Sequence, residues 1–502
     1  MKRDITSMRS TIEFLKERDD LCVVSAKVDP IYEIAGILKA FDGGPALLFE
    51  NINGYPGRRS VGNIFANSER IARIFDIEDP KKIKFKIHSA IKNPIPPIIV
   101  DKAPCQEVVI TADIDVMKTM PIIKHTERDA GRIIGGSNNF IGGKYFRGGR
   151  HISFNRIHFR GEDWASVFAL IPTHLGASTR IDHRGEKIPM TMNIGTPPAV
   201  NLVAGGGQIH TIIPRDADEI GMAGGLQGFP VELCKAKTVD AEVIAQSEWV
   251  IEGYLDTTQR VWESEEAEKM EQWGKAPFFP EWPGYLGRCT QGLRFQATAI
   301  THRKDKPIFY TPLAHSLEGT LLGTHFKEAC FYELAERIIP GLVVDVNIPY
   351  SMKMTSGVVF QVKKTRERDE GWQRNLLMAA HSSQPSMLLA IVVDEDVDIY
   401  SADELLWAIT TRVNPASDVI VFKGVGNIML PIVRVGVAEG GHRYEGGMGI
   451  DATAPFRGKW TFERPKYPVH LLDLSKWFSP QEIKKARAQQ SEYCQLLARN
   501  GW

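Results

Sequence analysis

The sequence predicts a multidomain protein of mixed α+β and α/β class, with an α/β unit at each end and a barrel or sandwich between them. Three observations carry this. Helix-period and strand-like runs alternate toward both ends of the chain. Between residues 110 and 330 they give way to short β-type runs separated by glycine-rich turns such as GGSNNFIGG, FRGGRH and VAGGGQIH. The length of 502 residues matches about three domains at roughly 150 residues each.

Residues 10–92 read as the first unit. Ile12 to Arg18 is helical in pattern, Cys22–Val28 strand-like, and Pro30–Phe41 an apolar-periodic helix. Pro94, Pro96, Pro97 and Pro104 then set a boundary near 94–108. In the middle, His151–Phe159, Ser166–Ile171, Met190–Ile194 and Glu248–Ile251 read as strands. The charged segment Trp262–Lys275 (WESEEAEKMEQWGK) reads as a solvated helix or flap. From 331 the α/β alternation returns. Leu388–Val393 is a buried strand by pattern, and Ser401 opens a helix whose capping box is completed by Glu404. The tail repeats the device with Ser479, Pro480 and Glu482. Ile483, Ala486, Tyr493, Leu496 and Leu497 make residues 479–502 an amphipathic helix, to be packed on its own domain or on a partner subunit.

Lys plus Arg and Asp plus Glu number 61 each. This balance speaks against a nucleic-acid platform or a polybasic membrane anchor. The first twenty residues are too charged for a signal peptide, and no run approaches the ~18 apolar residues of a membrane span. Cys22, Cys105, Cys234, Cys289, Cys330 and Cys494 are scattered without a CxxC pair. Free thiols and a cytoplasmic location are expected, and structural zinc is not.

Four polar residues stand beside glycines, prolines or apolar runs, where a rigid backbone can hold a side chain against a ligand. They suggest an enzyme. Arg156 lies in HISFNRIHF. As one strand, this segment puts Ile152, Phe154, Arg156 and His158 on one face and His151, Ser153 and Asn155 on the other. Its planar fork can clamp a substrate carboxylate, or it can pair with a structural carboxylate. His174 in LIPTHLG reads as a metal ligand or cofactor contact, against a capping or core histidine. Glu219 heads a helix-like run and can ligate Mg²⁺ or Mn²⁺, or simply favour the helix dipole. Glu281, in PFFPEWPGYLG, has a stiff backbone and aromatic neighbours suited to a desolvated general acid; the alternative is a surface turn carboxylate. Glu248 and Glu252 read as structural, or as residues that support a ligand-contacting neighbour, and Asp394-Glu395-Asp396 as a solvated strand end rather than a calcium site.

Several segments in shared order resemble the UbiD family of decarboxylases dependent on prenylated flavin mononucleotide. They are VDPIYEIAGI, ALLFENINGYPG, APCQE, MTMNIGTPPAV, ADEIGMAGGLQGFPVELCKA, SEWVIEGYL, DEDVDIYSADELLWAITTR and MGIDATAP. The branch acting on hydroxybenzoates such as protocatechuate, with its PEFPGY-like segment, is most similar to Pro280–Tyr285. The resemblance implies an N-terminal α/β domain (1–108), a split-barrel prenylated-FMN-binding domain (109–330), a C-terminal α/β oligomerisation domain (331–478) and a final amphipathic helix (479–502). It implies a homodimer or homohexamer whose cofactor comes from a prenylated-flavin synthase.

It also implies roles. His151, His174 and Glu219 fall where the family ligates a divalent metal, Mn²⁺ or Mg²⁺, bridging to the cofactor phosphate, with K⁺ nearby. Ser153, Phe154, Asn155, Arg156 and Thr173 join His174 and Glu219 around the cofactor. Arg156 is the active-site arginine and Glu281 the proton donor. His315 and Glu318, in LAHSLEGTLLG, are candidates for reading the substrate ring. The chain departs from the family at three places. His151 stands where the family often has asparagine. Ala276 stands where many members carry a second glutamate, so the Glu-Arg-Glu network is expected to be incomplete. The His381-Ser382 region replaces a flavin-contacting lysine.

The activity implied is reversible, non-oxidative decarboxylation of an aromatic or heteroaromatic acid, hydroxybenzoate-like or polycyclic, through a covalent substrate–cofactor adduct. The alternatives are a flavin-dependent oxidoreductase on a similar barrel and a non-catalytic assembly protein. The first lacks a GxGxxG after a strand, and the aligned Arg156 and Glu281 speak against the second.

Overall fold

The structure, a computed structural model, describes residues 4–169, 173–206, 209, 211–271, 276–354, 356–384, 386–423 and 446–502. Its organising feature is a break in the alternating run 151–159. Arg150–Phe154 pairs antiparallel with Ser137–Gly142, whereas Ile157–Phe159 pairs with Trp164–Val167. This corrects the single strand expected there: the chain changes sheet partner at Asn155 and Arg156.

Both pieces belong to one antiparallel sheet, and they form its opposite edges. The order is 150–154, 137–142, 187–194, 249–262, 291–302, 164–167, 157–159, with Val108–Ile110 also paired to 291–302. Two linking residues span no more than about 10 Å. The edges must therefore lie side by side, and the sheet curls into a half-barrel with Arg156 at the seam. The long strands Trp249–Trp262 and Gln291–His302 slip register at Glu252/Gly253 and between Asp256 and Arg260. Such bulges add the coiling that closure needs. Ile152, Ile157, Val167, Met190, Met192, Leu255 and Phe295 are among the apolar residues of its core.

A helical layer packs beside the barrel. The 22-residue helix Leu317–Ile338 crosses Pro198–Gly206 and Ile83–Lys92. The first crossing is tight because it is lined by glycine: a Cβ on Gly205 would lie 2.4 Å from the Leu322 carbonyl oxygen. The N-terminal sheet, Leu21–Val24, Ala46–Phe49 and Arg59–Gly62, takes its fourth strand from Ile308–Tyr310. The proline-rich boundary is likewise stitched down, with Ile98–Ile99 pairing in parallel with Glu232–Lys235. The C-terminal unit is a mixed five-stranded sheet ordered 343–347, 357–362, 389–394, 447–452, 419–422, flanked by Trp372–Ser383 and Ala402–Arg412.

Three further expectations change. The tail is two helices, Pro480–Ala488 and Glu492–Asn500, because Ser491 starts a second cap by accepting from Cys494 N–H. Ser479 and Glu482 form the full capping box, but Ser401 forms only half of one, since Glu404 turns to Arg464. Asp394 is buried against Arg412 and the Ala454 N–H rather than solvated. The expected strand Ser166–Ile171 appears as Trp164–Val167; residues 170–172 lie outside the described residues, as do 207, 208, 210 and 272–275. Among the described residues no helix is long and apolar enough to cross a membrane.

Candidate active site

Arg156 sits at the barrel seam with its side chain 7% exposed. Asn155 fixes the seam beside it, donating to the Phe168 carbonyl and accepting from Ser153 and Asn139. The guanidinium lies over the rings of Phe168 and Phe278, at 4.1 and 4.7 Å from their centroids. Its Nε and one terminal nitrogen donate to the two oxygens of Glu263, at 2.7 and 2.8 Å. The other terminal nitrogen donates to Glu281 Oε1 at 2.5 Å, and a fourth bond goes to the Arg288 carbonyl.

Two expectations are thereby corrected. The Glu-Arg-Glu network is present: Ala276 indeed stands at the expected position, but Glu263, at the end of strand Trp249–Trp262, supplies the second carboxylate. The charged segment expected to be solvated thus holds a buried residue, Glu263, near its start, and its helix spans Glu265–Met270. Nor is Arg156 an open fork for a substrate. Four of the five N–H groups of a guanidinium are engaged by the protein.

The two carboxylates differ. Glu263 is 1% exposed, chelates Arg156, and accepts from Thr290 N–H at 2.8 Å. Burial pushes its pKa up, against the opposing pull of Arg156 and the Thr290 N–H. Burial also disfavours the charge on Arg156, but Glu263 and Glu281 outweigh it and raise its pKa. Glu281 is 20% exposed and has a single bond to Arg156.

Glu281 is held at the tip of the hairpin Pro277–Pro280 and Leu286–Arg288, closed by Glu281 N–H donating to the Tyr285 carbonyl. A Cβ on Gly287 would come within 2.7 Å of Glu281 Cγ. His158 steadies the other arm by hydrogen-bonding the Glu263 carbonyl through Nδ1. Burial lowers its pKa to about 4, so it is neutral near pH 7 with Nδ1 the donor.

His151, His174 and Glu219 form a second cluster, with ligand atoms within 4.8 Å of one another and all three side chains buried. His151 follows Arg150 on the edge strand, His174 opens a turn capped by Thr173, and Glu219 opens the helix Glu219–Gln227 behind its cap Asp218. The two Nδ1 atoms lie 2.9 and 3.2 Å from the two Glu219 oxygens. Glu219 also accepts from Ile152 N–H. Its burial would raise its pKa, but the two histidines win and hold it down at about 2. Two imidazoles and a carboxylate make a ligand set for a divalent ion. The buried His151 Nε2 has no hydrogen-bond partner among the described residues, a costly state that an ion relieves.

The structure separates the two ring-reading candidates. His315 stands at the Glu281 hairpin, facing Gly284 and hydrogen-bonding the Trp282 backbone, with its pKa lowered by burial and by Lys39 and Lys353. Glu318 turns elsewhere. It is fully buried, accepts from Asn63 N–H, Phe65 N–H and Tyr310 O–H, and burial lifts its pKa to about 7. Glu248 and Glu252 are structural as expected: the first chelates Arg9, and the second accepts from the 237–238 backbone. His381 hydrogen-bonds the Leu377 carbonyl within its own helix.

Profiles of the 3-octaprenyl-4-hydroxybenzoate carboxy-lyase family match in three parts: the N-terminal domain over residues 12–87, the Rift-related domain over 98–315 and the C-terminal domain over 320–452. The chain is 30% identical to gallate decarboxylase of Lactiplantibacillus plantarum, over 90% of this chain and 94% of that protein. Among solved structures it is similar to the UbiD-class enzyme HmfF from Pelotomaculum thermopropionicum, in an evolved dimeric form in complex with prFMN. That match has a TM-score of 0.80 and 29% identity, over 94% of this chain and all of that one. It is also similar to an apo 3,4-dihydroxybenzoic acid decarboxylase from Enterobacter cloacae, with a TM-score of 0.82 and 28% identity, over 95% and 99% of the two chains.

Proposed function

The chain belongs to the UbiD family of carboxy-lyases, and from that premise we propose that it catalyses the reversible, non-oxidative decarboxylation of an aromatic or heteroaromatic carboxylic acid. The observation that carries this reading is the Glu263–Arg156–Glu281 array at the barrel seam. Prenylated FMN is the proposed cofactor; His151, His174 and Glu219 would hold a divalent ion, and with it the cofactor, with K⁺ as a second ion. Ser153, Phe154, Asn155 and Thr173 complete its surroundings. His151 and Arg156 are five residues apart, at most about 17 Å along extended chain, so metal cluster and acid–base array serve two ends of one elongated ligand. When bound, this cofactor supplies an electrophilic carbon that takes up the electrons released as CO₂ departs.

The chain's own residues supply the rest. Glu263 chelates Arg156 and fixes its plane, which leaves one N–H to hydrogen-bond the substrate carboxylate. Glu281, the more exposed and less tethered carboxylate, carries the proton to the ring carbon and recovers one from solvent. The bond to Arg156 keeps Glu281 in reach of the reacting carbon. In the reverse direction the same carboxylate removes the ring proton. His315, beside the Glu281 hairpin, is the residue proposed to read ring substituents. Residues 1–108, 109–330 and 331–478 are proposed as the three domains, with 479–502 a tail serving a homodimer or homohexamer.

The test is CO₂ release from hydroxybenzoic, polycyclic and heteroaromatic acids by protein produced together with a prenylated-flavin synthase. Release that needs the synthase supports the reading. Cofactor-loaded protein that is inert to the whole panel, but oxidises a nicotinamide, would assign it to another class of flavoprotein.

A further inference from the structure

We propose that His151 makes the buried His151–His174–Glu219 site selective for a first-row transition ion over Mg²⁺. This rests on reading the three residues as a divalent-metal site, and it concerns which ion they accept.

The donor set argues first. Two of the three ligands are imidazoles and only one is a carboxylate. Imidazole nitrogen suits the borderline ions, whereas Mg²⁺ takes near-octahedral oxygen and gives up its water reluctantly. The surroundings argue next. The His151 ring is stacked on Phe146 at 4.9 Å and 22°, and the same phenyl lies 5.5 Å from His174. The two imidazoles meet edge to face at 5.5 Å. This aromatic wall, with all three ligands buried, takes room from the water shell that Mg²⁺ keeps. It also fixes the ring planes.

Glu219 is held as well, by Ile152 N–H at 2.8 Å. A carboxylate anchored this way, with the His151 ring stacked on Phe146 and the His174 ring packed against both, presents a preset geometry rather than a flexible oxygen cage. The strand position decides the identity of the third donor. At 151 the backbone pairs with Ile141 and the side chain faces Glu219, so an amide there would offer a hard oxygen in place of nitrogen and readmit Mg²⁺.

The test uses metal-depleted full-length protein, titrated calorimetrically with Mg²⁺, Mn²⁺ or Co²⁺ alone, and pulsed EPR of the Mn²⁺ complex. Expected are one bound ion, Co²⁺ tighter than Mn²⁺ and Mg²⁺ weaker than Mn²⁺ by roughly a hundredfold, with two imidazole nitrogens coupled to Mn²⁺. His151→Asn should lower Co²⁺ affinity roughly ten- to a hundredfold, leave Mg²⁺ affinity equal or better, and remove one coupled nitrogen. Mg²⁺ bound within tenfold of Mn²⁺, or a single coupled nitrogen in the unaltered protein, overturns the selectivity while leaving the metal site standing. Failure of all three ions to bind overturns the site itself. The unaltered protein decides both points, so misfolding of His151→Asn rescues nothing, and His151→Gln repeats the comparison.

Discussion

At the scale of single residues, the division of labour between Glu263 and Glu281 follows from how each meets Arg156. Glu263 is sealed and chelated, so its removal leaves a buried cation half-compensated. Glu263→Gln should therefore cost about 3–5 kcal/mol of stability, read by denaturant titration, and lower turnover through a displaced Arg156. Arg156→Ala should raise KM and lower kcat together, since it removes both the hydrogen bond to the substrate carboxylate and the anchor of Glu281. His158 makes the site pH-sensitive. Its pKa falls from 6.5 to about 4 on burial, so the unfolded chain binds the proton more readily. Its contribution is whole above pH 6.5 and is lost progressively as pH falls toward 4, by about 3 kcal/mol. Unfolding free energies measured from pH 7.5 to 4 should show this slope, and His158→Phe should flatten it. Arg156, His174, Glu219 and Glu281 were legible as singular polar residues in glycine- and proline-bounded runs. Glu263 was not: it follows a long strand and opens an acidic run, and its meaning comes from Arg156 and Thr290, distant in sequence.

At the scale of elements, the seam and the hairpin set the site. The alternation of 151–159 announced β structure but not the exchange of partners at Asn155, because strand pairing is a long-range choice that local pattern does not encode. The caps were legible where the box is local, as at Ser479 and Glu482. They misled where a distant arginine captured the glutamate, as Arg464 does at Glu404. The hairpin gives a clean test of positioning. Gly287→Ala would press on Glu281 Cγ from 2.7 Å. It should cut turnover up to roughly a hundredfold, as sub-ångström to ångström displacements do, with an unfolding midpoint close to that of the unaltered protein. An unchanged turnover would mean that Glu281 need not stand where the hairpin holds it.

At the scale of the whole molecule, the three-part α/β–barrel–α/β plan was legible from shifts in periodicity. The interleaving was not, since Ile308–Tyr310 completes the N-terminal sheet by pairing with Arg59–Gly62, 249 residues earlier in the chain. The tail presents a different problem. Neither terminal helix has a buried residue, and Trp460, Tyr467, Leu471, Trp477 and Phe478 are all exposed. Apolar surface of that extent calls for a partner. Light scattering should find an oligomer that deletion of 479–502 dissociates or destabilises; an unaltered oligomer after deletion would remove the tail from the interface. The central claim is that Glu281 moves the proton on a frame held by Arg156 and Glu263. The most direct measurement is deuterium exchange from solvent into the unsubstituted aromatic product, run without CO₂ on cofactor-loaded enzyme. Glu281→Gln should retain the cofactor and the metal yet lose exchange by about 10²–10⁴-fold; full exchange in that variant would show that the proton travels by another group.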